Sequence, residues 1–156
     1  MPIIQGTYGQ IRPIGYPGHV PDGEVSNRIS RTVEDSDGLV FGRAAFRGTG
    51  DHGVTKVPAA GAFMGVAIAN VAQQPTQGVV PGGFPADTYP TFSTAALLNE
   101  GPIRVIAGSA TTDGAAVYVA ADGTFTAASA GNTPIPAAFD ETVAPGALVR
   151  LRVRKI

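Results

Sequence analysis

Residues 48–53, GTGDHG, hold the densest set of chemically useful residues in the chain. They read as G-x-G-x-x-G, and within them an acid, Asp51, adjoins one of only two histidines, His52. That glycine pattern holds a dinucleotide only where its third glycine opens a helix whose free N–H groups bind the pyrophosphate. Here VTKVPAAGAFMGVAIA follows, β-branched and broken by Pro58 and Gly61, and residues 67–83 supply no acid for a ribose. The pattern therefore predicts a glycine turn between two strands and no cofactor. Asp51 and His52 lack a third catalytic partner, and strand neighbours point to opposite faces. Ser109, in AGSAT, lacks the flanking glycines of a nucleophile elbow.

Two other clusters suggest metals and fail. EDSDG, residues 34–38, resembles part of a calcium loop, but that register puts Val33 and Ala44 at the first and last ligand positions. Asp-Gly with a nearby serine is ordinary turn chemistry. His19, Asp22 and Glu24 offer three ligand types in a short stretch, read here as loop polarity. No catalytic, cofactor or metal residue is expected, and the absence of cysteine excludes disulfides and thiolate zinc sites.

The elements that carry these residues read as all-β. The chain has 156 residues, with 21 glycines, 13 prolines and only 15% charged residues. Turns are frequent and apolar runs short, which favours strands. Low surface charge suits a subunit that covers its surface with neighbours. Short strands are predicted at 39–47, 62–70, 102–107, 115–120, 124–127, 135–139 and 147–155. Residues 93–99 fit a helical turn or a strand equally. Asp122-Gly123 predicts a hairpin with a type I′ turn. Seven or so strands make a jelly-roll-like sandwich or barrel.

Residues 1–38 carry Pro2, Pro13, Pro17 and Pro21 among six glycines, with isolated apolar anchors between them. They predict an extended irregular N-terminal arm (1–38) ahead of a β-domain (39–156). Within that domain 71–91 is a long Pro/Gly-rich loop, read as an interface loop or as a mobile surface loop.

Charge is unevenly placed. Residues 51–147 hold Lys56 and Arg104 against seven acids, and residues 148–156 hold Arg150, Arg152, Arg154 and Lys155 with none. The arginines alternate with Val149, Leu151 and Val153 on a last strand. They face solvent or pair with acids of a neighbouring subunit. No further basic patch or stacking platform extends them, so no direct nucleic-acid contact is expected. No run approaches the ~18 apolar residues of a membrane span.

GYPGHVPDGEVSNRISRTVEDSDGLVFGRAAFRGTGDHGV, residues 15–54, resembles the structural cement, or head decoration, proteins of tailed bacteriophages. GAFMGVAIA (61–69), GPIRVIAGSATTDGAAVYVAADGTFT (101–126) and TPIPAAFDETVAPGALVRLRV (133–153) continue the resemblance in the same order; 71–91 lies outside it. The resemblance implies a jelly-roll-like subunit on the outer surface of the icosahedral head, present in the host cytoplasm during assembly. Its partner would be the major capsid protein, with neighbouring capsomers bridged, and its activity mechanical. A homo-oligomer, dimer or trimer, is expected. On this reading the arm lies on the capsid through Tyr8, Ile11, Ile14 and Tyr16, Arg28 and Arg31 pair with capsid carboxylates, and the edge of the last strand pairs with a neighbouring chain. The alternative is a β-sandwich binding module of a phage tail or fibre, with Tyr89, Phe92 and Tyr118 stacking on sugars.

Overall fold

The structure, a computed structural model, describes residues 15–21, 23–58, 61–70, 79–80 and 84–154. Among them every regular element but a 3₁₀ residue is β. The strands are β1 (Asn27–Val33), β2 (Leu39–Val40), β3 (Ala44–Arg47), β4 (Gly53–Thr55), β5 (Phe63–Ala67), β6 (Val79–Val80), β7 (Phe84–Pro85), β8 (Thr88–Tyr89), β9 (Thr94–Ile106), β10 (Ala116–Val119), β11 (Phe125–Thr126), β12 (Thr133–Phe139) and β13 (Leu148–Val153).

Nine of them form one sheet in the order β1-β4-β3-β5-β9-β13-β12-β10-β11, and β1 also pairs with β9. That extra pairing closes β1, β4, β3, β5 and the first half of β9 into a five-stranded ring. The second half of β9 pairs with β13, and a parallel bridge from Ala107 to Phe125 brings β11 back towards it. A second ring thus shares β9 with the first. Closure removes the open edges that would otherwise invite aggregation.

β9 explains the two cores. Ala95 and Leu97 point into the first ring with Val33, Leu39, Phe41, Val54 and Tyr89. Leu98 points the other way, joining Phe46, Val66, Ile103, Val105, Phe139 and Leu151. Strand alternation thus sends adjacent leucines, both fully buried, into different clusters. Gly101 and Pro102 mark where β9 leaves one ring for the other, a point at which a strand tolerates both residue types.

Several expectations change. The irregular arm does not extend to 38, because 27–33 is β1, paired over six residues with β9. The uncertain 93–99 and the predicted 102–107 are largely one 13-residue strand. The predicted strand 39–47 divides at Gly42, whose φ of +71° turns the chain between β2 and β3. The hairpin at Asp122-Gly123 forms, but only Gly123 has positive φ, +81°. Gly123 N–H donates to Ala120 O (2.9 Å) and Ala120 N–H to Thr124 O (2.9 Å). That is the pattern of a type I turn followed by a G1 bulge. Asp122 accepts from Thr124 N and Oγ1, which holds the turn in that form.

Candidate contact surface

The GTGDHG loop joins β3 to β4 and is an anion cradle already filled by the chain's own carboxylate. Glu34 accepts from Thr49 N (2.8 Å), Thr49 Oγ1 (3.0 Å) and Gly50 N (2.7 Å). Successive backbone N–H groups form such concave sites. The glycines give the carboxylate room: a Cβ on Gly53 would stand 1.5 Å from Glu34 Oε1, and one on Gly48 2.4 Å from Oε2. The Thr49 and Gly50 N–H groups hold the Glu34 carboxyl below the usual glutamate range. Asp51 and His52 point to solvent.

The other acids of 34–38 are also spent internally. Asp35 accepts from Thr55 Oγ1 and Lys56 N, both at 2.7 Å. Asp37 pairs with Lys56, whose ammonium lowers its pKa. Among the described residues no cluster of three metal-ligating side chains occurs.

The segment 15–26 is docked by backbone contact at one end and by charge at the other. Tyr16-Pro17-Gly18-His19 forms a turn closed by His19 N–H to Tyr16 O (3.0 Å), with proline pre-setting one central φ and Gly18 at +82° in the other place. Gly18 N–H then donates to Arg104 O, Arg104 N–H to His19 O, and Ala69 N–H to Gly18 O. A Cβ on Gly18 would come within 2.7 Å of Ala69 N, and one on Gly42 within 2.8 Å of Gly18 N. The glycines of GYPG and of LVFG are thus one contact, where two backbones touch.

At the other end Glu24 takes both Arg150 and Arg152, the latter through Nη1 at 2.6 Å. Register places Arg150 opposite Arg104 on the neighbouring strand, on one face. Asp140 and Glu141 complete the cluster, with Arg152 Nη2–Asp140 at 3.0 Å and Arg104 Nη1–Glu141 at 2.5 Å. Arg150 and Arg152 therefore pair with acids of their own chain. Arg152 holds the Glu24 carboxyl low, and Glu24 and Asp140 raise the Arg152 guanidinium. β13 is flanked by β9 and β12, so it offers no edge for a neighbouring chain.

Of the predicted contact residues, Tyr8, Ile11 and Ile14 lie outside the described residues. Tyr16 is 44% exposed and rims a cavity of about 210 Å³ with Pro17, Val40, Phe41, Ile106 and Phe125. Arg28 and Arg31 fall three apart on β1 and so face opposite sides. Arg28 is exposed; Arg31 sits half-buried at a ring mouth beside Ile29, Met64 and Asn99. Structure does not bring the two arginines together.

The sugar-stacking trio also separates. Tyr89 is fully buried, its hydroxyl donating to Ile68 O (2.7 Å), and burial raises its pKa. Phe92 is 81% exposed and Tyr118 half-buried. Sequence reasoning missed Glu34 and Glu24. Glu34 stands 15 residues before Thr49 and Glu24 126 before Arg150, so both pairings needed the tertiary fold.

No curated protein sequence matches the chain. Its fold is shared with a chain in the capsid of Myoviridae phage XM1, at TM-score 0.71 and 19% identity, covering 98% of both chains. The head fiber gp8.5 N base of bacteriophage phi29 gives a TM-score of 0.47 at 15% identity, over 83% of this chain and 94% of that one. The family model described as structural cement protein (E217 gp24/Pam3 gp6) matches residues 4–154. With that match spanning nearly the whole length, the chain belongs to the phage structural cement protein family.

Proposed function

We propose that this protein binds the outer surface of a tailed-phage head, contacts the major capsid protein and bridges neighbouring capsomers. The observation that carries this reading is the family match over residues 4–154. The chain's internal chemistry is consistent with it. Glu34, Asp35, Asp37, Glu24, Arg150 and Arg152 each hold a partner within the fold, which suits a surface that works by contact.

The mechanism is linkage. A protein that binds only the assembled shell stabilises that state by its own binding free energy. Symmetry repeats each modest contact many times, so a weak subunit contact becomes a strong lattice. Residues 1–14 bear Tyr8, Ile11 and Ile14 as shell anchors, with Tyr16, Arg28 and Arg31 on the described part of the contact. Dimers or trimers on the shell surface do the bridging.

The test adds purified protein to heads lacking it, followed by co-sedimentation, electron microscopy and heat challenge. Saturable binding, an outer layer of density and a higher rupture temperature are expected. Deleting residues 1–14 should weaken binding while the circular dichroism stays that of a folded β-protein. Heads that neither bind the protein nor gain heat resistance overturn the reading.

A further inference from the structure

Phe92 occupies a backbone position that the fold prepares for glycine. Its φ is +60°, in the left-handed region where a Cβ and a bulky ring are unfavourable. Ser93 N–H donates to Pro90 O (3.1 Å), which makes Phe92 the third residue of a tight turn. Phe92 N–H donates to Val33 O (2.8 Å) and Val33 N–H to Ser93 O (3.0 Å), so residues 92 and 93 together oppose Val33. That is a G1 bulge, whose first residue is ordinarily glycine.

The chain supplies its own control. The hairpin between β10 and β11 has the same pair of bonds about Ala120, and there the position is Gly123, φ +81°. Asp87, the other non-glycine with positive φ among the described residues, has a short polar side chain that this region tolerates better.

Strain of this kind persists where something offsets it. Nothing among the described residues does so, because the Phe92 side chain is 81% exposed and packs into neither core. A glycine or asparagine would serve the turn better and would not present an apolar ring to water.

We propose that Phe92 is a preformed anchor, a rigid aromatic knob that inserts into an apolar socket on the capsid-shell subunit. This rests on the cement reading above. The bulge and the turn fix the backbone on both sides, so little ordering entropy is lost on docking. An aromatic ring brings a large contact area, and such residues dominate interface energetics. The adjoining turn 34–38 carries Glu34, Asp35 and Asp37 against Lys56. A socket with a cationic rim fits that surroundings, and register sets the turn beside Phe92 through Val33.

Phe92→Gly separates this from a structural role, with Phe92→Asn and Phe92→Leu as companions. Titration on heads lacking the protein should show affinity reduced by about 10- to 100-fold for Gly and Asn, and partly retained for Leu. The Gly variant should melt a few degrees above the wild type, as its strain is gone. Wild-type affinity in Phe92→Gly overturns the proposal, as does a lower melting temperature, which would place the ring in the fold. Loss of self-association in ultracentrifugation with head binding intact would make a second copy the occupant and also overturn it. Failure of the wild type itself to bind heads overturns the cement reading first, and this one with it.

Discussion

Glu34 shows how a sequence pattern associated with ligand binding can serve the fold instead. The loop at 48–53 has an anion cradle's chemistry, and tethering a carboxylate to it fixes β1 against the β3–β4 turn. Gly53→Ala should cost about 1–3 kcal/mol in urea unfolding, since its methyl must displace the Glu34 carboxylate. In a Glu34→Ala background the same change should cost much less, because the two residues share one site. Acid sensitivity follows from the same contacts. Glu34 and Glu24 both titrate below their unfolded values. As the pH falls the unfolded chain binds protons first, so the stability these groups add is present above about pH 4 and is lost below it. Stability profiles of Glu34→Gln should therefore fall less steeply than wild type between about pH 4 and 2. Parallel profiles would show that the cradle is not holding the ionised form.

At the level of elements, the docked segment 15–26 holds by two unlike means. Its GYPG end is a steric fit of backbones at Gly18 and Gly42. Its Glu24 end is an ion cluster partly open to solvent, hence screened by salt. Gly18→Ala should destabilise the protein by about 2–4 kcal/mol, combining a left-handed φ with a backbone clash. Glu24→Gln should leave the global melt nearly unchanged and speed hydrogen exchange across 18–26, as should high salt on the wild type. Equal exchange rates in both would mean the charges do not hold the segment. β1 is the element sequence reading hid in an arm. Its signal was present: residues 24–37 contain neither proline nor glycine, and Ile29 and Val33 fall on one side. The ring mouth accepts Arg31 between them, which masked the alternation.

For the whole molecule, two rings share β9, and the arginines proposed for the shell contact sit on separate faces of β1. Arg28 is exposed and Arg31 half-buried. If both engage carboxylates on the shell, replacing the pair by alanine should weaken head binding and flatten its salt dependence. Most of the effect should come from Arg28→Ala alone. A double variant whose salt titration matches the wild type would remove both residues from the contact.

The all-β class, the turns and the absence of a cofactor fingerprint were set by local composition, because glycine, proline and β-branched residues act through their own φ and side-chain sterics. The hairpin at Asp122-Gly123 was legible for that reason, though its exact turn depended on Thr124 bonding to Asp122. What required the folded chain was everything set by long-range pairing. β9 crosses GP at 101–102 because two different rings claim its halves. Arg150 and Arg152 find Glu24 and Asp140 only when β13 lies between β9 and β12. And the GTGDHG loop is a cradle only because closing the first ring brings Glu34 across β1 to fill it.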